Sequence, residues 1–174
     1  SNENLWMLRD QWLLENSADH IDLTRAIKSS RRYHLEKRWI DTAGKFEDLM
    51  PIEKTTWCFG RIIFEDIKEF EKELHISTWE VHDATLSRLE NPVICHTNKA
   101  ILKFNGLIPG DEKFSDLEIE IEGQDPQVLT FLEFLFLVNN ATHNYLQDAD
   151  CVFYEGFDEL NARNGVPVFQ LALG

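Results

Sequence analysis

From Phe114 to Glu122 the chain alternates strictly, with Leu117, Ile119 and Ile121 on one side of an extended backbone and Glu118, Glu120 and Glu122 on the other. A strand of this kind is buried on one face only, so it demands a sheet with one wet side and one covered side. A candidate cover follows closely: Val128 to Val138 is apolar almost throughout, with Glu133 as its one charge. Asp125 and Pro126 read as the N-cap and first position of a helix, because proline's fixed φ suits that position and its missing N–H is not needed there. The helix is expected to reach about Leu146, and one that is apolar on all sides is a buried helix. Together these features predict an α+β fold, with N-terminal helices and one buried apolar helix packed on a mainly antiparallel sheet.

Helical spacing of Leu5, Leu8, Trp12 and Leu13 predicts a helix over Glu3 to Glu15, and Leu23, Ala26 and Ile27 a shorter one from about Asp19 to Ser29. Tyr33, Leu35 and Trp39 alternate with polar residues, which favours a strand over Arg31 to Ile40. Trp57 to Phe64 is aromatic and β-branched and reads as a strand. Asp66 to Leu74 reads as one or two helical turns with Ile67, Phe70 and Leu74 on one side. Further strands are expected at Ile76 to His82, Val93 to His96, Ala100 to Asn105, Cys151 to Tyr154 and Val166 to Leu173, with a turn at Pro109-Gly110. Pro167 suggests that the last strand begins at, or lies on, a sheet edge. No repeat, low-complexity tract or linker divides the 174 residues, so one domain over 1–174 is expected, with Ser1 and Asn2 set aside as a tag remnant.

Charge is the second constraint. Thirty-one acids stand against 17 lysines and arginines, a formal net charge of −14. A field of that sign repels nucleic acid and anionic membranes and speeds encounter with cationic proteins. The acids are concentrated: Asp111, Glu112, Asp116, Glu118, Glu120, Glu122 and Asp125 are opposed locally by Lys113 alone, and Asp148, Asp150, Glu155, Asp158 and Glu159 form a second run. Residues 25–38 carry the opposite sign in Arg25, Lys28, Arg31, Arg32, Lys37 and Arg38. With 12 Phe, 5 Trp and 3 Tyr the chain can still build a core. Three scattered cysteines, Cys58, Cys95 and Cys151, suit free, mostly buried thiols in a reducing compartment, so a cytoplasmic location is expected. No apolar run approaches the ~20 residues of a membrane span.

The chemistry-bearing motifs are missing. The chain has no glycine-rich phosphate loop, no Gly-x-Ser-x-Gly elbow, no paired cysteines two residues apart and no His-Glu-x-x-His. His75 and His82 are seven apart and would oppose one another on a strand; His96 and Cys95 are adjacent and face opposite ways. His20, His34 and His143 have no ligand-spaced partner. Asp66-Ile67-Lys68 after an apolar strand is the one nuclease-like pattern, because an acid-x-lysine pair can hold a metal and orient water. It would need a second acid from Asp41 or Asp48. The expectation is no enzymatic activity, no metal site and no cofactor.

In this overall character (small, acidic, aromatic-rich, without catalytic motifs, and bearing a glutamate-studded strand) the chain resembles the bacterial immunity proteins of contact-dependent growth inhibition. The resemblance spans the whole chain and rests on no motif, so no residue role is carried over. It implies tight binding to one cognate toxin, often a nuclease, whose active site is blocked or surface occluded. Some members accept a toxin hairpin by β-augmentation, which an edge strand here would permit. The partner-binding residues expected from the charge pattern are Asp111, Glu112, Asp116, Glu118, Glu120 and Glu122, facing a basic protein, with no nucleic acid or membrane as partner. The alternatives are a metal-dependent nuclease using Asp66 and Lys68, and an acidic DNA-mimic inhibitor.

Overall fold

The computed structural model describes residues 20–42, 45–82, 87–150 and 152–174, together with Met7 and Gln11. The expected helix over Glu3 to Glu15 lies outside the described residues except for Met7 and Gln11, both of which are helical.

The described chain begins with a long helix, α1 (His20–Thr42). It absorbs both the expected short helix and the expected strand at Arg31 to Ile40. Leu35 and Trp39 are four apart and share the face that meets the core. Tyr33, which completed the apparent alternation, points outward at 62% exposure. Beyond β1 (Asp48–Met50) and a 3₁₀ turn at Ile52–Lys54, the segment Trp57 to Phe64 is not a strand either. Its ladder pairing is a single bridge, Cys58 to Phe153. The apolar residues there are anchored by side chains instead: Asn140 accepts from the Phe64 N–H at 3.1 Å and donates to the Phe64 carbonyl at 2.8 Å, standing in for a neighbouring strand. Asn139 donates to the Ile62 carbonyl at 2.8 Å and accepts from the Trp57 indole at 3.0 Å. Gly60 makes this path possible, with φ +79 and its backbone against Leu146, where a Cβ would sit 2.6 Å from the carbonyl carbon.

The next helix, α2 (Ile67–His82), runs through the region expected to turn into a strand at Ile76. Ile76, Thr78 and Val81 favour strands intrinsically, but Phe70, Leu74, His75, Thr78 and Trp79 are all buried when the segment is helical. Burial of that face outweighs propensity. Thr78 also donates to the Leu74 carbonyl at 2.8 Å, which removes the cost of a buried hydroxyl. Helix α1 packs along α2, with Trp39 on His75 and Trp79 at ring separations of 4.9 and 6.0 Å.

Strand β2 (Ser87–Leu89) pairs with β1 in parallel, and β3 (Val93–Cys95) pairs with the two-residue β6 (Leu129–Thr130) antiparallel. The main sheet has the order β5-β4-β8-β7, from β4 (Lys99–Leu107), β5 (Phe114–Glu122), β7 (Tyr154–Arg163) and β8 (Val166–Leu173). Both hairpins are antiparallel, and β4 and β8 join them in parallel. The expected strand over Cys151 to Tyr154 ends where ten-residue β7 begins, with Tyr154 the one residue they share. Strand β7 turns into β8 through Asn164 and Gly165, whose φ values of 50 and 80 fit the type I′ hairpin turn that Asn-Gly favours. Pro167 is not on an edge, because β8 is interior. It falls where the β7–β8 register slips between Leu160 and Arg163, before parallel pairing to β4 begins at Val168, so its missing N–H breaks no ladder bond there.

Helix α3 (Phe131–Leu146) ends where expected but starts later. Asp125 does not cap it; its carboxylate accepts from the Gln127 N–H in a turn. The cap is Thr130, whose hydroxyl accepts from the Glu133 N–H at 3.4 Å. Phe131, Phe134, Leu135, Val138 and Leu146 of α3 are buried with Ala100, Leu102, Phe104, Ile121, Phe169 and Leu171 of the sheet, and Phe134 meets Phe157 and Phe169 at 4.9 and 5.3 Å. Each of these side chains larger than alanine contributes about 1.5–3 kcal/mol of apolar burial. The protein is therefore α+β, with helices on one face of a largely antiparallel, mixed sheet. No helix among the described residues is long and apolar enough to cross a membrane.

Candidate functional site

The inner face of β5 fixes where its acids go. Ile121 is buried and Leu117 and Ile119 are half-buried against the core, so Asp116, Glu118, Glu120 and Glu122 stand on the outer face, all exposed. Strand β5 is also an end strand of its sheet, so the row lies along an edge. Asp111 and Glu112 are exposed in the turn that leads into it. The six expected partner-binding residues are thus brought onto one hairpin and one edge.

They are not equivalent. Across the ladder Asp116 faces Asn105, Glu118 faces Lys103, Glu120 faces Ile101 and Glu122 faces Lys99. Glu118 is taken: Arg163 forks onto both its oxygens at 2.7 and 2.5 Å, and the Lys103 ammonium lies at 3.6 Å. The hydrogen bonds from Arg163 hold the Glu118 carboxyl below its ordinary value and raise the guanidinium. Asp116 accepts a long bond from the Asn105 amide at 3.4 Å. Among the described residues Asp111, Glu112, Glu120 and Glu122 have no ion-pair partner. Strands β5 and β7 are three strand spacings apart, about 14 Å in a flat sheet, and Arg163 lies five residues along β7 from Asp158, the residue level with Glu118, so a flat sheet would put the two side chains out of reach. The pair therefore requires the β7–β8 turn to curl over the outer face. Val166 accordingly joins Lys99, Glu120 and Glu122 around a groove of about 420 Å³.

A second groove, of about 450 Å³, opens at the C-terminal end of β5 and shares Glu122 with the first. Ile67, Phe136 and Leu137 give it an apolar lining, and Glu65, Asp66, Glu122 and Glu133 supply four carboxylates. The role of Asp66 here is structural, since its carboxylate accepts from the Lys68 N–H at 2.9 Å and caps α2. The strand that was to carry a nuclease site does not form. Asp41 ends up in the last turn of α1, and Asp48 on β1, which pairs with β2. No group of three or more His, Cys, Asp or Glu among the described residues could hold a metal ion.

His75, His82 and the two described thiols make structural contacts. His75 and His82 share a helix rather than a strand, but their nitrogens are engaged separately. His75 bonds the Glu71 carbonyl and the Leu89 N–H, and His82 lies 3.3 Å from the Thr56 hydroxyl. Cys58 and Cys95 are free thiols, and burial raises the Cys95 thiol; Cys151 lies outside the described residues. The basic stretch of α1 faces acids of α2. Arg32 pairs with Glu73 and with Glu36, and Glu80, raised chiefly by burial, feels Arg32, Arg31 and Lys28. The charge asymmetry seen along the sequence is thereby partly answered within the fold.

Sequence reasoning missed Arg163, the carboxylates of Glu65 and Glu133 and the apolar lining beside them. The Asn-Gly pair after Arg163 was a signal for the hairpin that delivers it. Nothing local marks the groove, whose walls come from three separate segments. No family model, curated protein or solved structure matches this chain.

Proposed function

We propose that this chain is a cytoplasmic immunity-type inhibitor, an acidic binding protein that neutralises a cognate basic toxin, a nuclease effector, by forming a tight protein–protein complex without catalysis of its own. The observation that supports this reading is a set of carboxylates without an ion-pair partner among the described residues, Glu120 and Glu122 on an edge strand whose other face is turned to the core and Asp111 and Glu112 in the turn that leads into it. Such a row steers a cationic surface and fixes its register. A nuclease reading draws no support from Asp66, whose carboxylate caps a helix. A DNA-mimic reading is weakened at Glu118, where Arg163 and Lys103 interrupt the row of negative charge.

Reversing Glu120 and Glu122 to lysine should slow association with the basic partner at least tenfold at low salt and change dissociation less. Wild-type association should slow in the same way as salt rises, since the Debye length is about 8 Å at physiological ionic strength. Both side chains are exposed, so each substitution should change stability by only about ±0.5 kcal/mol. The test is a search of the reading frames adjacent to this chain's gene for a basic toxin domain, followed by co-production: wild type should relieve growth arrest and the double variant should not. A folded double variant that protects fully would remove the acidic row from the interface.

A further inference from the structure

Two exposed isoleucines precede the second groove. Ile62 and Ile63 are 57% and 53% exposed, and Glu65 follows within three residues, at most about 10 Å of chain. Scattered exposed apolar residues need no explanation. This pair differs in how it is held. Asn139 grips the Ile62 carbonyl, Asn140 grips both backbone groups of Phe64, and Gly60 is seated against the end of α3. The strap is fixed from beneath by the buried amide of Asn139 and the half-buried amide of Asn140 while its apolar side chains face out, so little ordering entropy remains to be lost when something binds them. Beside it, Ile67, Phe136 and Leu137 form the apolar lining of a groove ringed by Glu65, Asp66, Glu122 and Glu133. Asp66 and Glu133 are partly occupied, by the Lys68 and Gln124 N–H groups, whereas Glu65 and Glu122 have no partner among the described residues.

We infer that the groove bounded by Glu65, Glu122, Glu133 and Leu137, with the Ile62–Ile63 strap beside it, receives a basic segment of the protein partner that places one large apolar side chain between lysines or arginines. The inference rests on the proposed basic partner and adds where that partner is anchored. Charge complementarity selects this occupant: an acidic partner would be repelled by the rim, and an uncharged one would leave its carboxylates unpaired. The glutamates of β5 then govern encounter, and the groove governs how long the complex lasts. Glu122 belongs to both.

Two synthetic peptides test this at low salt: six lysines around a central tryptophan, and the same six around a central glycine. The tryptophan peptide should bind wild-type protein about tenfold more tightly, the effect of burying one large apolar side chain. It should shift the methyl resonances of Ile63, Ile67 and Leu137, and Ile63→Asn, an exposed change, should reduce its advantage at least threefold. Equal affinities, or methyl shifts confined to other residues, overturn the groove while leaving a basic partner in place. Failure of both peptides to bind overturns the groove and removes the support for a basic partner as well.

Discussion

Replacing Asn139 with leucine should destabilise the protein by about 3 kcal/mol and release the strap that carries Ile62 and Ile63. Asn139 is 1% exposed and ties α3 to the 57–64 segment at two points, accepting from the Trp57 indole and donating to the Ile62 carbonyl. Leucine keeps the same branched outline of four side-chain heavy atoms and is bulkier, so the loss is not a cavity effect. It leaves the indole N–H of Trp57, itself buried, without an acceptor, at a cost of about 1–3 kcal/mol, and it forfeits the Ile62 bond as well. For a chain of this size the melting temperature should fall by about 6–12 °C. Amide exchange should quicken at 61–64 before the rest of the molecule, because those residues have almost no ladder to fall back on. Asn140→Ala should give a smaller loss, about 1–2 kcal/mol, since Asn140 is only half-buried. A variant Asn139→Leu melting within a degree of wild type would show that the indole finds another acceptor and that the strap does not depend on this residue.

The same strap shows why part of the fold was hidden in the sequence. Trp57 to Phe64 has strand composition, but only Trp57 and Phe59 find backbone partners, at Tyr154 and Val152, while Ile62 and Phe64 are held by the amides of Asn139 and Asn140, 77 and 76 residues away. In α2, Ile76, Thr78 and Val81 carry a local preference that the burial of Leu74, His75 and Trp79 overrides. Where local and tertiary preferences agree, as in β5, the strand was legible to the residue, because a period of two admits one face for the leucine and isoleucines and one for the glutamates. Two signals were legible and lost to competitors. Thr130-x-x-Glu133 is a capping pattern that Asp125-Pro126 obscured, and Asn164-Gly165 announces the β7–β8 hairpin. The candidate site divides in the same way. Its acids could be counted along the chain, but the neutralisation of Glu118 by Arg163 joins residues 45 apart, and the groove needs α2, β5 and α3 to be in place together.

Acidification should cost this protein stability through one residue above the carboxylate range. His75 is 2% exposed, and burial lowers its pKa from 6.5 to about 4, with Arg88 pushing the same way and the bond to the Glu71 carbonyl opposing. The bonding pattern requires the neutral ring. Nε2 accepts from the Leu89 N–H at 3.0 Å, so the proton sits on Nδ1 and is donated to Glu71 at 2.7 Å. Protonating Nε2 would set one N–H against another inside a box of Trp39, Trp79 and Leu89. The unfolded chain takes up this proton near pH 6.5 and the folded one only near 4, so the unfolded state binds more protons in between. Stability from this residue is therefore complete above 6.5, declines as pH falls through the window, and levels off below about 4. The loss between pH 7.5 and 4.5 should be about 2.5 kcal/mol, read as the change in unfolding free energy of wild type relative to His75→Gln, a difference in which the other titrating groups cancel. The variant should be less stable than wild type at pH 7.5, because it lacks the ring packed on Trp39, and should close most of that gap by pH 4.5. A gap that stays constant across the window would mean that the imidazole takes its proton in the folded state, and that the Leu89 N–H has turned away to let it.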